Sequence, residues 1–244
     1  MRLIAAGGGL AQNAYRAGIE IRLDAGALTY WRMPGGAGVP PVFSFEGSAN
    51  ASGIEVSYPA PIRINEDGIE AFGYRGRVIF PLRVTPKVVT RPVVLVLNVS
   101  YAVCSRICLP AKAEAKLTLV PAKGAGTETT GPDAPAIAAA EAAVPLRLTS
   151  KQRDAKVAIT RDETAPTPTW RLAPRGAGAQ DLFAEAPPGW YFETRKSGLP
   201  NEFLIVEVEK PRTGSRAPVP VILTLRNERQ SYEFAIDLDA AAAP

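Results

Sequence analysis

The stretch Val93–Leu119 reads VVLVLNVSYAVCSRICLPAKAEAKLTL and holds both cysteines of the chain, Cys104 and Cys108. Before the cysteines the odd positions Val93, Leu95, Leu97, Val99, Tyr101 and Val103 are apolar or aromatic, and Asn98, Ser100, Ala102 and Cys104 are even. After them Leu109, Ala111, Ala113, Ala115, Leu117 and Leu119 are again odd and apolar, with Lys112, Glu114, Lys116 and Thr118 between. Successive strand residues point to opposite faces, so the odd positions of both segments form one core face. A three-residue loop, Ser105-Arg106-Ile107, sets Cys104 opposite Cys108. It also sets Val103 opposite Leu109, Tyr101 opposite Ala111, Leu95 opposite Leu117 and Val93 opposite Leu119. One register satisfies the whole hairpin.

That register decides what the thiols can do. Directly opposed residues have Cα atoms about 4.5–5.5 Å apart, and a disulfide needs roughly 4.4–6.8 Å. On one extended strand the two cysteines would be about 13 Å apart, so the turn makes the bond possible. Pro110 removes a ladder donor, which places the hairpin at a sheet edge or a bend. Both cysteines fall on the non-core face beside a tight loop. Arg106, between them, is the nearest positive charge in sequence and could stabilise a thiolate.

Three readings of the pair remain at this point. A plain structural disulfide is the commoner fate of two cysteines in a strand-rich protein. Against it, a five-residue ring contributes only about 2 kcal/mol in the loop-entropy model, compared with about 4.7 for a 100-residue loop. A short disulfide at an exposed turn is instead an accessible target for thiolate exchange. Two thiolates could also hold Cu(I), although the only methionines, Met1 and Met33, are remote in sequence.

The rest of the chain narrows the chemistry. It has 244 residues, 46% of them apolar, enough for one large or two small cores. Its 23 prolines and 21 glycines favour short strands and turns. The absence of histidine removes Ser-His-Asp and Cys-His catalysis and histidine-ligated metals. The net charge of +4 is dispersed, with no basic run interleaved with aromatics, which argues against nucleic-acid binding. No apolar run approaches the roughly 20 residues of a membrane-spanning helix. The start, MRLIAAGGGLAQNAY, carries an apolar stretch too short for a usual export signal.

Period-two alternation at Ile19, Ile21 and Leu23 marks a first strand, and others are expected at 54–58, 78–84, 93–103 and 113–120. PAKGAGTETTGP, 121–132, reads as a linker. DAPAIAAAEAAV, 133–144, reads as the one clear helix, capped by Asp133 and stopped by Pro145. Strand signals resume at 155–160, 169–173, 180–184, 190–195, 203–209, 219–226 and 232–238. The expectation is an all-β chain of two immunoglobulin-like sandwich domains, 14–121 and 146–240, joined by a linker and short helix over 122–145. Trp190-Tyr191-Phe192 is either a contact patch or, more simply, a buried strand.

VSYAVCSRICLPAKAEAKLTL resembles the cysteine hairpin of the N-terminal periplasmic domain of the DsbD family, and of its ScsB-like members in particular. LTYWRMPGGAGVPPVF and GYRGRVIFPLRV are similar to further segments of that family, in the same order. The resemblance covers about 14–120, and ScsB-like proteins also carry a second β domain. It implies an immunoglobulin-like periplasmic domain whose cysteines cycle between dithiol and disulfide, without cofactor or metal. Electrons would come from a membrane-embedded reductase and go to thioredoxin-like or disulfide-isomerase proteins, with this chain a monomer. Carried over, Cys104 and Cys108 are the redox pair, with Cys108 attacking and Cys104 resolving. The family shields its disulfide with a cap loop bearing an aromatic ring. The matching segment is NEDGIEAFGY, 65–74, with Phe72 as the shield, a core position being the alternative. Tyr30, Trp31 and Tyr101 read as packing residues. DsbD also carries transmembrane and thioredoxin-like domains that this chain lacks, so a reductant in trans is expected. The missing signal peptide implies a truncated start. The competing functions are a binding or assembly module with a structural disulfide, and a copper-handling protein, since ScsB-like systems are linked to copper stress.

Overall fold

The computed structural model describes residues 1–36, 38–66, 68–105, 108–121, 129–211 and 218–239. The chain divides into two compact units, Met1–Val144 and Pro145–Pro244. The first contains β1 (Arg2–Ala5), β2 (Gly7–Gly8), β3 (Tyr15–Arg22), β4 (Leu28–Gly35), β5 (Val42–Ser44) and β6 (Ala51–Val56). These are followed by β7 (Ile62–Glu66), β8 (Ile69–Arg75), β9 (Arg77–Pro86), β10 (Val93–Cys104), β11 (Cys108–Leu119), β12 (Thr129–Thr130) and α1 (Ala134–Ala142). The second contains β13 (Leu146–Arg147), α2 (Ser150–Lys156), β14 (Val157–Arg161), β15 (Thr169–Pro174) and β16 (Ala179–Glu185). It ends with β17 (Tyr191–Lys196), β18 (Phe203–Glu209), β19 (Val219–Asn227) and β20 (Tyr232–Leu238).

The first unit is a sandwich. One sheet runs β1–β3–β9–β6; the other runs β11–β10–β4–β8–β7, with β5 also paired to β10. Phe80 of β9 joins the two layers. Its ring meets Phe43 of β5 at 5.2 Å and, edge-on, Tyr74 of β8 at 5.4 Å. The alternation read from the sequence holds on β10, where Val93, Leu95, Leu97 and Val99 are all buried. β10 and β11 pair over twelve positions, from Val93 opposite Leu119 to Cys104 opposite Cys108. β11 is an edge strand, as Pro110 requires.

α1 belongs to this unit and packs on the outer side of the β1–β3–β9 sheet. Ile137 is fully buried there with Ile4 and Ile79. Gly18 permits the approach, since a Cβ on it would stand 2.8 Å from Ile79 and 3.6 Å from Ile137. Asp133 sits at the N-cap but its side chain caps nothing. It accepts instead from Arg2 at 2.8 Å, while Arg16 pairs with Glu141. The helix is thus tied at both ends to the first sheet.

The second unit is a smaller sandwich of β13–β20–β19–β16 and β14–β15–β18–β17. Its core includes Trp170, Leu182, Phe192, Phe203, Leu223 and Phe234. Phe192 is buried and stacks on the half-buried Trp190 at 5.9 Å, which makes this stretch a packing strand. α2 was absent from the expectation of a single helix. Its signal is a capping box, Thr149 with Gln152, in which the threonine accepts from the Gln152 backbone and the glutamine reaches back. The helix is short and buries no residue, so hydrophobic periodicity could not reveal it. Among the described residues no helix is long and apolar enough to cross a membrane.

Glu20 of β3 is 1% exposed and accepts from Arg2, Arg22 and Arg77. Burial alone would raise its pKa; the three guanidinium groups overcome that and hold it at about 2, against 4.5. A depressed carboxylate stabilises the fold fully above its unfolded pKa, and the contribution fades as pH falls towards the folded value. Glu20→Gln is therefore expected to lower unfolding stability at pH 7 by about 1–3 kcal/mol, allowing for the exposure of the arginines. In urea titrations the gap between wild type and variant should close as pH falls from 4.5 towards 2.

Candidate redox site

The site forms where β10 ends, β11 begins and β4 joins them. Cys104 and Cys108 are linked by a disulfide, with Cα atoms 4.0 Å apart. The two sulfur-bearing residues are not equivalent. Cys104 is 1% exposed, whereas Cys108 is exposed. The cause is the face on which they lie. Cys104 pairs with Leu28 of β4, and Leu28 with Arg75 of β8. Leu28, Tyr30, Ile64, Ala71, Ala102 and Cys104 therefore share one side of the sheet and close into a small apolar cluster, with Ile62 against it. The outer face of this sheet carries a second, minor core, and Cys104 is part of it. The expectation that both cysteines lie on an open face is corrected: only Cys108 does. Among the described residues β11 is the edge strand, and Cys108 at its start is exposed.

Tyr30 is the residue that sequence reasoning assigned to packing and that the structure brings to the sulfurs. It is fully buried, donates its hydroxyl proton to Cys104 Sγ at 2.9 Å and lies 3.4 Å from Cys108 Sγ. A signal for it existed. Tyr30 and Trp31 are adjacent on one strand, so they must face opposite ways, and only one can enter the sandwich. Trp31 does so, fully buried, which leaves Tyr30 on the cysteine face. Behind it, the Thr29 hydroxyl donates to the Ala102 carbonyl at 2.9 Å. That bond holds β4 against β10 where the ladder contributes only the Cys104–Leu28 pair.

The segment after β4 closes over the ring. Gly38 has φ of +97°, and a Cβ there would stand 2.1 Å from the Tyr30 ring. A glycine is required both by the backbone conformation and by this contact. The backbone of Gly38 is what lies against Tyr30.

Phe72 does not reach the disulfide. Tyr74 pairs with Thr29 and Phe72 with Arg63, so both aromatics point to the side opposite Cys104. Phe72 is buried there, 5.1 Å from the Arg63 guanidinium. The aromatic ring beside the disulfide is that of Tyr30. Arg106 lies outside the described residues. Tyr101, on the odd face, is half-buried.

Fold and site together define an immunoglobulin-like β-sandwich whose edge hairpin presents a short disulfide with one exposed sulfur. Residues 5–120 match the family model described as "Thiol:disulfide interchange protein DsbD, N-terminal", and this part of the chain belongs to that family. The crystal structure of the N-terminal periplasmic domain of ScsB from Proteus mirabilis superposes with a TM-score of 0.70 at 18% identity. The match covers 96% of this chain and 92% of that one, a likeness of fold. An endo-fucoidan hydrolase of glycoside hydrolase family 107, MfFcnA4, aligns over 98% of this chain and 28% of its own. Its identity is 12% and its TM-score 0.20, a value that defines no common fold. No curated protein matches the chain in sequence.

A hydrogen bond to a thiolate is worth more than one to a neutral sulfur, roughly 1.5–3 kcal/mol. Tyr30→Phe keeps the ring under Gly38 and removes the donor. Reduction by dithiothreitol should slow about tenfold, about 1.4 kcal/mol of lost leaving-group stabilisation. In the reduced protein the Cys104 thiolate should form at a pH about one unit higher, read by ultraviolet titration. An unchanged rate and titration would separate the hydroxyl from the chemistry.

Proposed function

We propose that this protein is a periplasmic thiol–disulfide exchange protein. It would carry electron pairs through Cys104 and Cys108 from a membrane-embedded reductase to thioredoxin-like or disulfide-isomerase partners. The observation that carries this reading is the asymmetry of the pair: Cys108 is exposed and Cys104 is buried under the Tyr30 hydroxyl.

The steps follow from that asymmetry. A thiolate of the reductase attacks Cys108 Sγ, the sulfur it can reach. The Cys104–Cys108 bond breaks, and its electron pair leaves on Cys104 Sγ, where the Tyr30 hydroxyl stabilises the new thiolate. A second thiolate of the donor then attacks its own sulfur in the mixed disulfide. The donor leaves as a disulfide, and this protein holds two reduced sulfurs. In the outward direction the Cys108 thiolate attacks the acceptor's disulfide and forms a mixed disulfide. Cys104 then attacks Cys108 Sγ, restoring the internal bond and releasing the acceptor as a dithiol. Two electrons enter and two leave, and no imidazole is needed, in keeping with a chain that has no histidine.

Membership of residues 5–120 in the DsbD N-terminal family supports the exchange chemistry. The likeness of fold to a periplasmic domain supports the compartment.

Cys104→Ser should accumulate a mixed disulfide through Cys108 with a thioredoxin-like protein, resolved by non-reducing electrophoresis, whereas Cys108→Ser should trap none. The wild-type reduction potential, titrated against glutathione or dithiothreitol buffers, should lie above about −300 mV, the range of exchange-competent bonds. A potential well below that value, with no trapped species from either variant, would return the disulfide to a purely structural role.

A further inference from the structure

Beside Cys108 the surface opens into a groove of about 260 Å³. Leu109 and Pro110 of β11 form one side, Val39 and Val42 the other, and Tyr101 contributes between them. Cys108 is itself one of the lining residues. Val39, Val42 and Leu109 are 60, 62 and 57% exposed, among the most exposed large aliphatic side chains of the described residues. Three such side chains converging on one concavity next to the accessible sulfur mark an interaction site. We propose that this groove seats the large apolar side chain flanking the cysteine of a redox partner, so that the protein selects partner segments in which an apolar residue adjoins the reactive sulfur.

This inference rests on the exchange reading and names the chemistry of its partner. Four considerations select the occupant. Attack on Cys108 requires the incoming sulfur in line with the Cys104–Cys108 bond, on the open side of Cys108, and the groove borders that side. A chain bearing the incoming cysteine therefore cannot avoid placing a neighbouring residue over it. The volume lies below the roughly 300–1,000 Å³ of small-molecule sites; it suits one or two side chains. The lining is aliphatic or aromatic apart from Ser100, Lys112 and Cys108 itself, so a buried cation would find no counter-charge within it, and an apolar side chain fits most of its wall. Pro110, on the edge strand, has no amide proton to offer, which limits recognition by strand addition at this point. Side-chain burial is the means left. The wall contributed by Val39 continues from Gly38, which rests on the Tyr30 ring. The groove is thus built on the same segment that closes the buried sulfur.

The test uses the whole oxidised chain and two thiol peptides, acetyl-Gly-Leu-Cys-Leu-Gly-amide and acetyl-Gly-Gly-Cys-Gly-Gly-amide. Second-order rates of attack on the disulfide are read by acid quench and mass spectrometry. The leucine peptide should react about tenfold faster, the amount expected from burying one aliphatic side chain. Val42→Asp and Leu109→Asp should each reduce that ratio to about one. Val89→Asp, an exposed substitution outside the groove, should leave it intact. Val42 and Leu109 are exposed, so both variants should keep the wild-type urea midpoint, and that unchanged midpoint separates loss of the groove from loss of folding. Equal rates in the wild type, or a preference surviving both groove substitutions, would overturn the groove and leave the exchange reading standing. If neither peptide nor dithiothreitol opened the disulfide, the exchange reading would fall and the groove with it.

Discussion

The register of the β10–β11 hairpin is the constraint on which both the sandwich and its chemistry depend. Twelve opposed pairs run from Val93–Leu119 to Cys104–Cys108. A slip of one residue would turn Leu95, Leu97 and Val99 out of the core. The same slip would move Cys108 away from Cys104, and no short disulfide could form. Burial of four aliphatic side chains on β10 stabilises the fold by several kcal/mol in area bookkeeping. A five-residue disulfide ring contributes about 2. The hydrophobic register therefore decides, and the disulfide is a consequence of it. Breaking the bond during exchange should leave the strands in place.

The second determinant is that the hairpin lies at the edge of a sheet whose outer face is partly covered. β4 and β8 stand on the inner side of β10 and supply Leu28, Tyr30 and Ala71 over Cys104, while β11 has no neighbour beyond it. One sulfur is thereby enclosed and hydrogen-bonded and the other is reachable. Thiolate exchange is governed by which sulfur is attacked and how well the other leaves. A strand edge beside a minor core separates those two requirements onto two residues four apart in sequence. In the proposed exchange the hydroxyl of Tyr30, 2.9 Å from Cys104 Sγ, would meet the charge where it develops.

Much of this was legible in the sequence, and what was not has physical causes. The hairpin register followed from odd–even alternation, and the sequence also marked β3, β6, β9 and the strands from β14 onward, whereas β4, β7 and β8 were not marked. The enclosure of Cys104 did not, because alternation says which face a residue occupies but not whether a second layer covers it. That cover comes from residues distant in sequence, Leu28, Tyr30, Ile64 and Ala71. Tyr30 was assigned to packing because aromatic residues on strands usually fill a core. Its pairing with Trp31 contained the correction, since neighbours on a strand cannot share a face. Phe72 was placed at the site through the family's cap loop. The strand parity that relates it to Tyr74 and Arg63 puts it on the other side of the sheet. The helix over 133–144 reads in sequence as part of the stretch that joins the two domains. A single isoleucine, Ile137, and ion pairs to Arg2 and Arg16 attach it to the first unit.

Gly38 connects these features. Its backbone occupies the space above the Tyr30 ring that any side chain would fill, so the ring is held between the sheet and the segment leading into β5. Holding the ring fixes the hydroxyl within bonding distance of both sulfurs, 2.9 Å from the buried one and 3.4 Å from the exposed one. The same segment then turns Val39 and Val42 outward beside Cys108. A single glycine thus links the ring that touches both sulfurs to the segment that carries Val39 and Val42 beside Cys108.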